Sequence, residues 1–129
     1  MTDIDYFKKY NDTYGHTAGD TVIRRIATIL QQSVGEKDIV IRYGGEEILV
    51  LLKNTSLPVL ASVAEKIRIN VENAQISHKT SKCSTCVTLS IGCFYVENTS
   101  RMSLPDAIKK ADKALYESKE KGKNTVTVF

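Results

Sequence analysis

Residues 39–52 read IVIRYGGEEILVLL, and this stretch gives the strongest indication of the fold. Its first half is rich in β-branched residues, and its second half is almost continuously apolar after two glutamates. Two such runs separated by Gly44 and Gly45 predict a β-hairpin, because a type I′ turn needs positive φ at both central residues and glycine supplies it. A second strand this apolar is typical of burial on both faces, so helices are expected against at least one side of a sheet.

Helical periodicity is found on both sides of the hairpin. Apolar residues recur at three- and four-residue spacing from Asp20 to about Val34, which predicts an amphipathic helix. A second amphipathic helix of about four turns follows the hairpin. Its apolar positions are Leu57, Leu60, Ala64, Ile67 and Val71, and its predicted exposed face carries Glu65, Lys66, Arg68 and Glu72.

A third helix is predicted to begin at Ser103 as the N-cap, with Asp106 at the capping-box position, and to end near Gly122. Its buried stripe is predicted at Leu104, Ile108, Ala111 and Leu115. Further strands are expected at residues 87–92 and 125–129, and around Asp3, where only the end of a strand is present and the first strand is expected to be truncated. This order predicts one α+β domain over residues 1–129, with a mixed central sheet flanked by helices.

The composition supports one globular domain and excludes several classes of protein. The chain has 129 residues, 42% of them hydrophobic and 26% charged, and its 18 basic and 15 acidic residues give a net charge of +3. This charge is too small to indicate a nucleic-acid partner. No apolar run approaches the roughly 20 residues that span a bilayer, and no signal-peptide pattern follows Met1. We expect a cytoplasmic protein with no nucleic-acid partner and no direct membrane contact.

Acidic residues at the predicted strand ends are the first candidates for chemistry. Asp3 and Asp5 are two residues apart and share a face if the strand continues through them, and Glu46 and Glu47 adjoin the glycine turn. Carboxylates beside a turn with exposed amides are suited to a hard divalent cation and its phosphate ligand. The alternative is that these are solvated charges at strand ends.

Three further groups allow two interpretations each. Asp20 either caps the helix that it begins or, with Asn11, binds a guanine base. In the second case its carboxylate would accept hydrogen bonds from guanine N1–H and from the exocyclic amine. Lys119 and Lys123 are four residues apart on a predicted last helical turn, so they clamp phosphates or form a solvated helix end. Cys83 and Cys86 form a CxxC pair, but structural zinc needs four ligands and only Cys93 and His78 could join them.

Six sequence segments occur in one order along the chain: DIDYFK (3–8), NDTYGH (11–16), GD (19–20), RYGGEE (42–47), VTLSIG (87–92) and ADKALY (111–116), the last followed by Lys119 and GKN (122–124). Together they resemble the GGDEF domain of diguanylate cyclases. The resemblance implies a fold akin to nucleotidyl cyclases and ferredoxin-like polymerase palms. It also implies a nucleotidyltransferase that condenses two GTP into cyclic di-GMP and two pyrophosphates, as a bacterial second messenger. The alternative is a non-catalytic GGDEF module that binds GTP or serves as a regulatory interaction domain.

The resemblance also implies a role for particular residues. Glu47 and Glu46 would be catalytic, and Asp3, the carbonyl of Ile4 and Glu46 would bind two Mg²⁺ per site, with Mn²⁺ as a possible substitute. Asn11 and Asp20 would read guanine. The phosphates would be held by Lys8, Phe7, Gly44, Gly45, Lys119 and Lys123. A homodimer would be needed for catalysis, since one site holds one GTP, and an upstream sensor domain is expected.

Two positions depart from the family pattern. Ile48 stands where the family signature has phenylalanine, which keeps an apolar position and predicts modest repacking. The family's inhibitory product site is an RxxD segment, which here reads Gly35-Glu36-Lys37-Asp38. Because Gly35 replaces the arginine and only Asp38 remains, feedback inhibition through this site is expected to be weak or absent.

Overall fold

The structure is a computed structural model that describes residues 1–97 and 101–129. Its elements follow one another as β1 (Thr2–Ile4), α1 (Phe7–Tyr14), α2 (His16–Ser33), β2 (Ile39–Gly44), β3 (Glu47–Leu51), α3 (Leu57–Asn73), β4 (Leu89–Cys93), α4 (Leu104–Glu120) and β5 (Val126–Val128). The strands form one sheet in the order β2-β3-β1-β4-β5. Neighbouring strands are antiparallel except β4 and β5, which are parallel. The predicted α+β class with a mixed sheet is therefore confirmed.

Helices cover both faces of the sheet. The larger core joins α1, α2 and α3 to one face and includes Ile4 and Ile48, whereas α4 packs on the other face against Met1 and Leu49. Ile48 and Leu49 are only 1% and 6% exposed, so β3 is buried on both faces as the hairpin sequence predicted. Within the described residues, no helix is both long enough and apolar enough to cross a bilayer.

The hairpin forms at the predicted place but with a different turn. Gly44 pairs with Glu47, and the register shifts between Arg42 and Gly44, so the two loop residues are Gly45 and Glu46. Gly45 has φ +48°, whereas Gly44 and Glu46 have negative φ, so the predicted type I′ turn with both glycines at positive φ is wrong. The guanidinium Nε of Arg42 donates to the Gly45 carbonyl at 2.9 Å and braces this irregular turn.

The helix preceding the hairpin begins earlier than its apolar periodicity predicted. α2 starts at His16, directly after Gly15, whose φ of +85° separates α1 from α2. The Gly19 amide already donates to the Gly15 carbonyl at 3.1 Å, so Asp20 lies inside the helix. The interpretation of Asp20 as a helix cap is therefore wrong, because small and polar residues at 16–19 form the first turn without contributing to the apolar pattern.

Ser103 is the N-cap of α4, as predicted. The Ser103 hydroxyl accepts a hydrogen bond from the Asp106 amide at 3.2 Å, which satisfies one of the free N–H groups of the first turn. The helix ends at Glu120, two residues before Gly122. Leu104 is 53% exposed, so its predicted place in the buried stripe is wrong.

The backbone of α4 touches the sheet at Gly92 in β4. A Cβ atom at Gly92 would lie 2.0 Å from the Leu115 amide nitrogen and 2.3 Å from the Ala111 carbonyl oxygen. Ser118, one turn further along, is fully buried, and its hydroxyl donates to the Ile91 carbonyl at 2.8 Å. The absence of a side chain at Gly92 thus sets the height of α4 above the sheet.

Replacing Gly92 with alanine should separate α4 from β4, because both clashing groups are backbone and cannot rotate away. We expect Gly92→Ala to lower the free energy of unfolding by about 3 kcal/mol, at the upper end of overpacking effects. Urea denaturation measures this loss. Gly44→Ala is the control, since a Cβ there meets no atom within 4 Å and Gly44 has negative φ. Equal stability of the two variants would contradict this account of the packing.

Candidate active site

Two carboxylates face each other across the centre of the sheet, on the side that α4 covers. Asp3 in β1 is the ladder partner of Glu47, the first residue of β3 after the glycine turn. The Asp3 side chain is 12% exposed, and its Oδ2 atom lies 2.8 Å from Nζ of Lys119 on α4. The structure thus brings together three predicted site residues from three separate segments of the chain.

The electrostatics of this pair favour an added cation. Burial raises the pKa of the Asp3 carboxyl, and Lys119 opposes that shift through its hydrogen bond and its charge. Burial also raises the pKa of Glu47, and the negative charge of Asp3 raises it further. Lys119 supplies one positive charge to a site with two carboxylates and Glu46 nearby, so the negative charge is only partly compensated.

The oxygen atoms at this site suit a hard divalent cation whose remaining ligands are water and substrate phosphate. Within residues 1–97 and 101–129, no three His, Cys, Asp or Glu side chains converge in metal-binding geometry. Mg²⁺ does not need such a cage, because it is commonly held by one or two carboxylates with water and substrate phosphates. Asp3 and Glu46, with the Ile4 carbonyl, could provide that partial set.

Asp5 belongs to the framework of the site. Its side chain is fully buried and accepts hydrogen bonds from the Thr88 hydroxyl at 2.8 Å, the Ser90 hydroxyl at 2.6 Å and the Asn124 amide at 2.9 Å. Asp3 is the ladder partner of Ser90, so the two aspartates share one face of the sheet as predicted. The oxygens of Asp5 are already occupied, which leaves Asp3 as the available ligand of the two.

The predicted base-reading residues come together at the contact of α1 with α2. A Cβ atom at Gly19 would lie 1.9 Å from Asn11 Oδ1, so Asn11 packs directly on the residue that precedes Asp20. Asn11 Oδ1 is buried without a hydrogen-bond partner, whereas Asp20 is exposed. A buried acceptor with no donor is costly, so this carboxamide is a candidate to bind a ligand. The guanine role of both residues stays a prediction.

The predicted phosphate-binding lysines are arranged differently from the expected helical pair. Lys119 is engaged with Asp3, while Lys123 lies outside α4 with φ +70°, so the two do not share a last helical turn. Nζ of Lys123 lies 5.2 Å from the centre of the Tyr6 ring. Lys119 thus contacts β1 itself, whereas Lys123 lies beside the segment that joins β1 to α1. Lys8 on the exposed side of α1 has no ion-pair partner within the described residues, and Phe7 is buried in the core.

Other candidates lie apart from this cluster. Asp38 accepts hydrogen bonds from the amide of Gly35 in its own loop and from the amide of Lys53, which follows β3, both at 2.9 Å. The three cysteines are free thiols.

An apolar cavity of about 660 Å³ between α3 and α4 is lined by none of the predicted site residues. With Lys53 and Glu97 as its only charged side chains, the described lining of this cavity is unsuited to a triphosphate.

Sequence reasoning missed two contributors to the site region. Arg68 was predicted on an exposed helix face, yet its side chain is 15% exposed and bonds Glu65, Glu72 and Asn124. Asn124 appears in the GKN segment, but no role was predicted for it. The pattern of apolar residues carried no signal for Arg68, because a charged residue on the polar side of a helix is usually solvated.

Comparisons with known proteins find relatives in sequence and in fold. The sequence model of a family described as "Diguanylate cyclase, GGDEF domain" matches residues 1–125. The chain is 42% identical over 128 residues to Diguanylate cyclase A of Treponema denticola, covering 99% of this chain and 34% of that protein. It is 38% identical over 127 residues to the response regulator PleD of Caulobacter vibrioides, covering 98% of this chain and 28% of PleD. The chain thus spans about a third or less of these relatives.

A solved structure extends the likeness to three dimensions. The coiled coil and GGDEF domain of DgcB from Caulobacter crescentus, in complex with c-di-GMP, superimposes with a TM-score of 0.85 at 33% identity. The match covers 99% of this chain and 66% of the DgcB chain. The five-stranded mixed sheet and the four α-helices of residues 1–97 and 101–129 therefore have the same arrangement as in that structure.

The ion pair of Lys119 with Asp3 can be tested by removing the lysine. We expect Lys119→Met to lower the free energy of unfolding by about 1–3 kcal/mol in a chelating buffer, since a largely buried carboxylate loses its charged partner. Millimolar Mg²⁺ should restore more stability to this variant than to the wild type, because the ion replaces the lost charge. Urea denaturation with and without Mg²⁺ measures both effects.

Lys121→Met is the matched control, because its pair with Glu117 is more exposed and 3.6 Å long, and such surface pairs contribute little. It also loses one hydrogen bond to Thr127 Oγ1 at 3.2 Å, so the loss in Lys119→Met must exceed that of the control. A loss no larger than that of the control would contradict the stabilising role of the Lys119–Asp3 pair, and no response of the Lys119→Met protein to Mg²⁺ would contradict a cation site at Asp3.

Proposed function

The chain belongs to the GGDEF domain family of diguanylate cyclases, and from this premise we propose that it is a catalytic domain that condenses two GTP into cyclic di-GMP and two pyrophosphates. The observation that carries the proposal is the pairing of Asp3 with Glu47 beside the glycine turn, with Lys119 at 2.8 Å from Asp3. A domain that serves only as a docking surface for another protein has no need to hold two carboxylates in this partly compensated state, whereas a metal-dependent nucleotide site does.

The proposed reaction consists of two equivalent phosphoryl transfers. Each 3′-hydroxyl attacks the α-phosphorus of the other GTP, so one P–O bond forms while the bond from that phosphorus to the pyrophosphate oxygen breaks. The hydroxyl proton passes to Glu47 or to a water that Glu47 orients. Burial and the charge of Asp3 raise the pKa of Glu47, which makes its carboxylate a stronger base than a solvated glutamate.

Phosphoryl transfer depends mainly on placement and charge neutralisation, which these residues are able to supply. When bound, Mg²⁺ would neutralise the phosphate charge, and Asp3, the Ile4 carbonyl and Glu46 would hold it. Lys8, Lys119 and Lys123 would bind the triphosphate. Gly44 and Gly45 lack side chains that would obstruct the phosphates, and a Cβ at either position meets nothing within 4 Å.

Guanine would bind between α1 and α2, where Asn11 and Asp20 lie. The unpaired Asn11 Oδ1 supports this location, since a base donor would satisfy it. Asp20 is exposed on α2, and its carboxylate could accept from guanine N1–H and the exocyclic amine, which adenine cannot offer at N1.

Catalysis would need two copies of the domain facing each other, because each copy holds one GTP and the product contains two. Further segments of a longer polypeptide would bring the copies together in response to a signal. Two observations support weak product inhibition: Gly35 stands in place of the arginine, and both oxygens of Asp38 already accept backbone hydrogen bonds, from Gly35 and from Lys53.

The proposal is tested by incubating the purified protein with GTP and Mg²⁺ and separating the products by chromatography. We expect cyclic di-GMP at protein concentrations high enough for association. Glu47→Gln should reduce its rate of formation by about 100-fold or more, which is the usual range for a lost acid–base group. Glu36→Gln is the control and should leave the rate unchanged, since Glu36 is exposed and precedes β2 at the end of the hairpin opposite to Glu47.

Absence of product from the wild type at high protein concentration, with GTP still bound, would overturn the catalytic proposal in favour of a non-catalytic GTP-binding module. Equal rates for Glu47→Gln and the wild type would show that Glu47 has no part in the reaction.

A further inference from the structure

The turn between α4 and β5 has an unusual backbone. Gly122, Lys123 and Asn124 have φ values of +112°, +70° and +46°, so three consecutive residues occupy the left-handed region. Glycine adopts this region freely, asparagine tolerates it and lysine avoids it. Two side-chain-bearing residues held there must be stabilised by contacts elsewhere, and Lys123 is one of the lysines assigned to the triphosphate.

Backbone hydrogen bonds anchor this turn at both ends. The Lys123 amide donates to the Ser118 carbonyl at 3.1 Å, which ties the turn to the last turn of α4. The next amide, that of Asn124, donates to Asp5 Oδ2 at 2.9 Å. Asp5 is fully buried and directly precedes Tyr6, the residue whose ring lies 5.2 Å from Nζ of Lys123.

The Asn124 side chain makes a second set of bonds, toward α3. Its Oδ1 atom accepts from Nη1 of Arg68 at 2.8 Å, and its Nδ2 atom donates to Glu72 Oε1 at 2.9 Å. The carboxamide therefore uses its acceptor and a donor at once. Any shift of the turn away from α3 would break both bonds.

Arg68 is itself fixed in place by two carboxylates. Its Nη2 and Nε atoms donate to Glu65 Oε1 at 2.7 and 2.9 Å, and its Nη1 atom donates to Glu72 Oε2 at 2.9 Å. The planar guanidinium offers five donors in a rigid fork, so one arginine can bind Glu65, Glu72 and Asn124 together. A lysine cannot reproduce this geometry.

We infer that Asp5, Arg68 and Asn124 act together as a clamp that positions Lys123 for the anionic part of the substrate. This inference rests on the proposed function for the identity of that anion, a nucleoside triphosphate. The clamp residues are positioning residues, since they hold the turn that carries Lys123 and do not themselves face the substrate. The clamp also joins the turn to β1, which carries Asp3 and Ile4, so the phosphate lysine and the metal-binding strand keep a fixed spacing.

Two substitutions loosen the clamp while leaving the fold of the turn possible. Asn124→Gly keeps the hydrogen bond from the backbone amide of residue 124 to Asp5, and glycine adopts φ +46° without strain. It loses both hydrogen bonds of the asparagine side chain. Arg68→Lys keeps the positive charge and loses the fork. Asn70→Ala is the matched control: Asn70 lies on the same helix and its Nδ2 atom donates to Ser33 Oγ at 3.0 Å, away from the turn.

The measurements are calorimetric binding of GTP and of inorganic tripolyphosphate, together with amide hydrogen exchange over residues 121–125. We expect Asn124→Gly and Arg68→Lys to weaken binding of both anions by about tenfold, the scale of one charge-assisted contact, and to speed exchange at Lys123. The KM for GTP should rise more than kcat falls. Asn70→Ala should leave anion binding and this exchange unchanged.

A double-mutant cycle separates positioning from general stability. If the clamp acts through Lys123, adding Asn124→Gly to Lys123→Met should weaken tripolyphosphate binding no further than Lys123→Met alone. Additive losses, or unchanged binding in Asn124→Gly, would overturn the inference. A wild type that binds tripolyphosphate but forms no cyclic di-GMP would refute the proposed function. The double-mutant cycle would still show whether the clamp positions Lys123. A wild type that binds neither anion would refute both.

Discussion

The site depends on the close seating of α4 against β4 at Gly92. Because Gly92 has no side chain, the backbone of α4 lies directly on the sheet. A Cβ atom at Gly92 would lie only 2.0 Å from the Leu115 amide nitrogen. One turn later, the Ser118 hydroxyl bonds the Ile91 carbonyl and Thr127, which joins α4 to both strands of the parallel pair. Lys119 is the next residue, and this seating places its ammonium on Asp3. The turn that carries Lys123 follows directly.

The acidic pair is the costly part of this arrangement. Asp3 and Glu47 face each other across two antiparallel strands, and burial raises the pKa of both. Like charges directly opposite in a ladder destabilise a sheet, so the pairing weakens the fold where stability alone would favour neutral residues. Lys119 offsets part of the repulsion, and a divalent cation with a triphosphate would complete the balance. Asp5 differs from its neighbour because three hydrogen bonds already satisfy it.

The sequence predicted the hairpin, α3, β4 and the start of α4, because these elements combine a clear apolar period with a turn or cap residue. It failed where backbone geometry is decided by contacts that have no local pattern. Gly44 stays in its strand because the register shifts beside it, and α2 begins at His16 because its first turn contributes nothing to the apolar stripe. Arg68 was misplaced for a similar reason, since its partner Asn124 is 56 residues away. Position and spacing already indicated the acidic residues and the two lysines as candidates, and the family resemblance added a role for each. Their mutual distances could come only from the fold.

We propose that the Asp3–Glu47 pair, Lys119 and the contact between α1 and α2 form one GTP site. A crystal structure of the protein with Mg²⁺ and a non-hydrolysable GTP analogue would show whether they do. We expect Mg²⁺ at about 2.1 Å from Asp3 and Glu46 oxygens, phosphates at Lys119 and Lys123, and guanine against Asn11 and Asp20. An analogue bound elsewhere, or the Lys119–Asp3 pair unchanged with no ion beside it, would show that these residues do not form the site.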